Sequence, residues 1–132
     1  MGTVPETTTF ALWVMLCLEL KHFAADYLLQ FDWMIRGKGS LTMPGGYAHA
    51  GIHAAGTVVV LALLGLAPLV ILFFAVGEFV VHYALDFAKA HYGDHVSSSE
   101  RPRTFWAFNG LDQFLHHTTY IAMTYLVVLQ TI

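Results

Sequence analysis

The chain has 132 residues, of which 57% are hydrophobic, 14% aromatic and only 11% charged, with a formal net charge of -3. Soluble domains carry about 25% charged residues, so this composition excludes an ordinary solvated domain and points to a small integral membrane protein. Six Lys and Arg leave no basic tract for nucleic acid or polybasic lipid docking, and the lone Cys17 excludes an intrachain disulfide, a thiolate metal site and a CxxC motif.

Four long apolar stretches with little between them predict an all-α, four-helix transmembrane bundle forming a single domain, with helices over about 8–33, 47–66, 69–92 and 104–130. Residues 1–9 carry Glu6 and no Lys or Arg, unlike the positive start of a cleavable signal peptide, so the first helix is expected to be retained. Thr7 to Thr9 offer hydroxyl caps for it. Its first half, Phe10 to Leu18, is smoothly apolar; its second half carries Glu19, His22, Asp26 and Gln30. At about 100° per residue these four fall within roughly 80° of one another, while Lys21 is expected to point away. Arg36-Gly-Lys38-Gly-Ser and Pro44-Gly45-Gly46 then read as a polar loop of helix breakers.

The second helix starts near Tyr47 and places His49 and His53 one turn apart on one face before becoming featureless apolar sequence up to Gly65 and Pro68. The third carries Glu78, His82, Asp86 and Lys89, again on one stripe about 80° wide, and Gly93 suits its C-terminal cap. Asp94 to Arg103 reads as a solvated loop, and His91 and His95, flanking the Gly93 turn, read as solvated residues rather than ligands. The fourth helix carries Asn109, Asp112, Gln113, His116 and Tyr120 on one stripe near its start, with His117 off the stripe and facing headgroups or a neighbouring chain. Trp13, Trp33, Trp106 and Tyr92 read as an interfacial aromatic belt, although Trp13 lies deeper than a belt requires.

The positive residues set an orientation. Arg36 and Lys38 follow the first helix, Lys89, Arg101 and Arg103 lie at the end of the third and after it, and the second turn and both termini hold none. The positive-inside rule places both basic loops in the cytoplasm and both termini outside. Helices one and three then carry their polar groups in their inner halves, and helices two and four carry theirs in their first, also inner, halves. Four independent segments therefore agree on one depth.

A charged side chain near a bilayer centre costs about 3 kcal/mol on insertion scales, so these stripes are expected to face one another. A single such residue would be read as interhelical hydrogen bonding. Here His22 with Asp26, His49 with His53, His82 with Asp86, and Asp112 with His116 form four i,i+4 pairs, one per helix. Bundle cores that hold metals present inward carboxylates and histidines in this way. These eight residues are the expected ligands, and imidazole with carboxylate suits zinc first, then iron or manganese, ahead of calcium. Glu19 and Glu78, a turn deeper, are candidates for hydrogen-bonding the ligands, for a general base or for a proton relay; Lys89 at the rim is a candidate anion-binding group.

The ordered set His22-x3-Asp26-Tyr-x2-Gln30, His53, His82-x3-Asp86-x2-Lys89 and Asp112-Gln113-x2-His116 resembles a family of small multi-spanning prokaryotic and phage membrane proteins grouped as a domain of unknown function. That resemblance spans nearly the whole chain and implies a multi-spanning helical membrane protein. A looser likeness, of ligand pattern only, exists to membrane-bound metal-dependent hydrolases and zinc phospholipases. The residues therefore lead to an expected metal-dependent hydrolase acting on a phosphoester or lipid headgroup at the cytoplasmic leaflet. A proton- or ion-conducting protein and a non-catalytic membrane interaction module are the alternatives, and a homo-oligomer is compatible with each.

Overall fold

Apolar stretches broken at Gly, Pro and short polar segments fold into five helices, namely α1 (Glu6–Tyr27), α2 (Asp32–Gly37), α3 (Pro44–Leu63), α4 (Pro68–Gly93) and α5 (Pro102–Leu129). The computed structural model describes residues 5–93 and 99–130, so the expected loop position of His95 lies outside the described residues. Among the described residues there is no strand.

The first expected helix divides. It starts at Glu6 with no hydroxyl cap and ends at Tyr27, where the N–H groups of Leu28 and Leu29 both donate to the Ala24 carbonyl at 3.0 Å and the Gln30 side chain donates to the Asp26 carbonyl. Phe31 is then extended, and α2 begins with Asp32, whose carboxylate favours a helix N-terminus. The segment expected to be a glycine-broken loop is thus partly helical. Pro44 opens α3 at its first turn, where its missing N–H costs nothing.

Gly45 is there for close approach. A Cβ on it would lie 2.6 Å from the Trp33 carbonyl oxygen, and one on Gly37 would lie 2.7 Å from the Gly45 Cα. These glycines let α2 pack backbone to backbone on the start of α3. Gly45→Val is accordingly expected to destabilise the fold by about 1–3 kcal/mol, the cost of overpacking. Thermal unfolding in detergent measures this, with Gly51→Ala, whose Cβ would meet nothing within 4 Å, as the control that is not destabilised. The α3–α4 connection is a tight glycine turn, with Gly65 at φ 78 and the Leu66 N–H donating to the Leu61 carbonyl.

The four long helices form an antiparallel ring in the order α1, α3, α4, α5, with α2 against α3. The pairings fix the direction of each neighbour. Across α1 and α3, Lys21 meets the His53 carbonyl and Asp26 meets His49. Across α3 and α4, Thr57 meets Glu78 and His49 meets Asp86. Across α4 and α5, Glu78 meets Tyr120 and Lys89 meets Asp112; α5 returns along α1 from His22–Tyr120 to Met15–Thr124.

The distribution of side chains is inverted relative to a soluble bundle. His22, His49, His53, Glu78, His82, Asp86, Asp112 and His116 are buried, whereas Leu12, Trp13, Leu16, Leu20, Leu63, Leu69, Leu72 and Phe73 face outward. In water this arrangement would forfeit the hydrophobic driving force; with lipid as the solvent it places every group where it is best solvated. α1, α3 and α4 are each long and apolar enough to cross a membrane. α5, at 28 residues, has the length, but its first half carries Arg103 and Asp112. One end of the ring closes on an apolar cluster of Val14, Leu18, Leu61, Ile71, Phe74, Met123 and Val127.

Candidate metal centre

Antiparallel order stacks the inward residues in levels. His22, His53, His82 and His116, one from each long helix, occupy one level; the ring centroids of His53 and His82 are 3.7 Å apart, of His82 and His116 4.3 Å, and of His22 and His53 5.2 Å. One turn toward α2 come Asp26, His49, Asp86 and Asp112. Beyond them a cavity of about 520 Å³ opens, bordered by Gln30, Lys38, Lys89 and Asn109.

Two carboxylates organise the cluster. Asp26 Oδ1 lies 3.1 Å from His49 Nε2 and 3.1 Å from His53 Nε2, and Asp26 Oδ2 lies 3.3 Å from His22 Nε2. Asp86 Oδ2 lies 3.4 Å from His82 Nε2 and 3.5 Å from His49 Nε2. Ligands bound at 2.0–2.2 Å around a tetrahedral ion are separated by about 3.3–3.6 Å, so these spacings fit ligation to within a few tenths of an ångström. Two groups each bring one possible ligand atom per residue within 4.8 Å of one another, Asp26, His49, His53 and His82, and His82, Asp86 and His116. His82 belongs to both.

Several nitrogens of these residues are buried without a hydrogen bond among the described residues, including Nδ1 of His49, Nδ1 of His82 and Nε2 of His116. Buried polar atoms are almost always satisfied, and a cation shared among them would satisfy the nitrogens that converge. The residues therefore fit a divalent metal chemically as well as in spacing.

A second polar layer lies beneath the histidines. Glu78 accepts hydrogen bonds from Lys21 and Thr57, and from the Tyr120 hydroxyl at 2.8 Å. The same hydroxyl is 3.1 Å from His22 Nδ1 and 3.4 Å from His53 Nδ1. Metal-binding histidines are commonly oriented through their second ring nitrogen. Tyr120, held by Glu78, is placed to do this for His53, whose Nε2 faces Asp26.

The expected site residues separate into three sets. His22, Asp26, His49, His53, His82, Asp86 and His116 converge. Asp112 stands beside them, its Oδ2 taken by Lys89 Nζ at 2.8 Å and its Oδ1 3.6 Å from His116 Nδ1. Glu19 is outside, paired with His117 Nδ1 at 2.8 Å on the α1–α5 seam, where the rest of the His117 side chain stays exposed.

Lys21 corrects the sequence reading most directly. Its side chain does not point away: it runs inward past Gly56, whose absent side chain leaves it room, and ends on Glu78 with its ammonium 4.7 Å from the centre of the Tyr120 ring. Gly56 beside Thr57, on the helix carrying the two histidines, was the available signal. Lys38, in sequence a loop charge, has its Nζ 2.8 Å from Asp86 Oδ2. Its position depends on α2, which folds back over the site.

The sequence family described as proteins of unknown function, DUF3307, matches residues 14–132. The chain belongs to this family. The match takes in every residue of the converging cluster, from His22 to His116, together with Lys21, Thr57, Glu78 and Tyr120. No curated protein and no solved structure matches the chain.

Proposed function

We propose that this protein is a membrane-embedded, metal-dependent hydrolase of phosphoesters, working at headgroup depth in the cytoplasmic leaflet with both termini on the opposite side. The observation that carries this reading is the convergence of Asp26 and Asp86 with four buried histidines, at ligand-like spacings, directly beneath a cavity bordered by two lysines. A divalent ion held there would act as a Lewis acid, acidifying a coordinated water toward neutrality and polarising a phosphoryl oxygen.

The chain's own residues support the remaining tasks. The charges of Asp26 and Asp86 balance one divalent cation, which leaves the positive charge of Lys38, held 2.8 Å from Asp86 Oδ2, as a surplus that would attract an anionic substrate. Lys89, partly exposed at the cavity mouth, attracts the same anion. Tyr120 and Glu78 hold the imidazoles in place from below. The apolar cluster from Val14 to Val127 seals the other end and weighs against a conduit for protons or ions within one copy.

The test is elemental analysis of protein purified without chelators, coupled to hydrolysis of bis(p-nitrophenyl) phosphate. Bound zinc, iron or manganese near one or two equivalents, with hydrolysis lost on chelation and restored by the metal, is the expected result. Protein that is metal-free, cannot be loaded with any of the three and dissipates a pH gradient in liposomes would overturn the proposal in favour of a proton path.

A further inference from the structure

We infer that the phosphoester is carried by a membrane lipid whose acyl chain lies in the outer seam between α4 and α5. Its phosphate then reaches Lys89 at the mouth of the polar cavity. For the chemistry at the headgroup this rests on the hydrolase reading, whereas its observations are separate.

An apolar cavity of about 150 Å³ opens on the seam, walled by Leu85, Ala88 and Tyr92 of α4 and by Phe108, Leu111 and Leu115 of α5. Lys89 and Asp112 border this cavity and also border the polar one. The Lys89 ammonium, paired with Asp112 at 2.8 Å and partly exposed, therefore stands where an apolar slot meets a polar chamber, so a phosphate ester of a long-chain lipid would fill the slot with its chain and share the ammonium with Asp112. Deeper in the same seam a second apolar cavity of about 160 Å³ lies between Phe73, Gly77 and Val81 on α4 and Thr119, Ala122 and Leu126 on α5.

Depth agrees with such an occupant. One leaflet's hydrocarbon is about 15 Å deep, half of a core of about 30 Å. At 1.5 Å per residue that is about ten residues of α4. A chain starting at Lys89 would fill the first cavity and reach the second. The seam is open because His82–His116 and Glu78–Tyr120 join the inner faces of these helices, while Ala88 and Gly77 place little bulk on α4's outer side; a Cβ on Gly77 would meet nothing within 4 Å. Each α5 seam carries an ion pair, Glu19–His117 against α1 and Lys89–Asp112 against α4, and the α4 pair lies at the cavity mouth, leaving the apolar walls below it uncrossed.

Native mass spectrometry of metal-loaded protein in detergent tests the inference, using dioleoyl phosphatidic acid, dioleoylglycerol and glycerol 3-phosphate as probes. Wild type should retain one phosphatidic acid at least tenfold more tightly than either of the other two. Ala88→Trp, which fills the slot, should lose at least tenfold in phosphatidic acid retention while keeping metal content and glycerol 3-phosphate binding. Leu111→Trp, filling the slot from α5, should do the same, and metal content reports whether either variant has folded. Retention of phosphatidic acid by both folded variants at the wild-type level overturns the inference, as does wild type that binds glycerol 3-phosphate as tightly as phosphatidic acid. Lipid retention that is lost on slot filling in protein binding no metal at all would sustain the seam and overturn the hydrolase reading instead.

Discussion

Protein carrying Asp86→Ala is expected to lose at least about a hundredfold in metal affinity while remaining folded and inserted. Changes to residues that merely support metal ligands cost about 10–100-fold, and a direct ligand should exceed that. Asp86 sits at the shared side of the cluster, 3.4 Å from His82 and 3.5 Å from His49, so its loss disturbs both ligand groups. Adding Asp26→Ala removes the remaining convergent carboxylate and should weaken metal binding further, since no carboxylate within the cluster is then left to offset the ion's charge. The outward faces of α1, α3 and α4 are untouched, so insertion persists. Elemental analysis and circular dichroism together read the result. If these groups served only as packing, neither wild type nor variant would hold metal and stability would shift by about 1–2 kcal/mol at most. If they formed a proton path, Asp86→Asn would stop proton flux with no metal involved.

Glu78→Leu is expected to be the most destabilising single change, at about 3–5 kcal/mol, because it strands the Lys21 ammonium without a counter-charge. The Lys21 side chain is only 8% exposed and that of Glu78 1%, so water cannot take over. The hydroxyls of Thr57 and Tyr120 lose their acceptor in the same substitution. Lys21→Met combined with Glu78→Leu should recover most of the loss, since replacing both partners of a buried pair by apolar groups is often close to neutral. Unfolding of the two single variants and the double variant provides the coupling energy. A second readout separates positioning from packing. The double variant should hold metal about tenfold or more weakly than wild type even when its stability is restored, because Tyr120 no longer has Glu78 to orient it toward His53. Equal metal affinity in the two would make the lower layer purely structural.

The reach of the sequence can be judged residue by residue. Asp26, His49, His53, His82, Asp86 and His116 were legible because an α-helix has a fixed 100° step, so i,i+4 spacing alone puts each pair on one face. Burial of those faces followed from the cost of charge in hydrocarbon. Their common depth followed from antiparallel order and the distribution of Arg and Lys. None of these arguments requires knowing which helices are neighbours.

What only the tertiary structure decided concerns reach across the bundle and local backbone approach. Helix angle directs Lys21 away from the stripe, but angular position locates a Cβ, not the end of a four-carbon stem that Gly56 allows inward. Glu19 and Lys89 lie on the same stripes as ligands, yet each is matched to a partner on α5, His117 and Asp112, that spacing along one helix does not specify. α2 was concealed because glycines read locally as breakers, whereas Gly37 and Gly45 here permit two backbones to touch and bring Lys38 onto Asp86. By itself the sequence determined an all-helical membrane bundle with polar residues facing inward at one depth, since helix periodicity and the apolar solvent act on each segment separately. The ring order, the pairing of each carboxylate and the open α4–α5 seam were left to the fold, because they depend on side-chain length and helix separation between segments far apart in the chain.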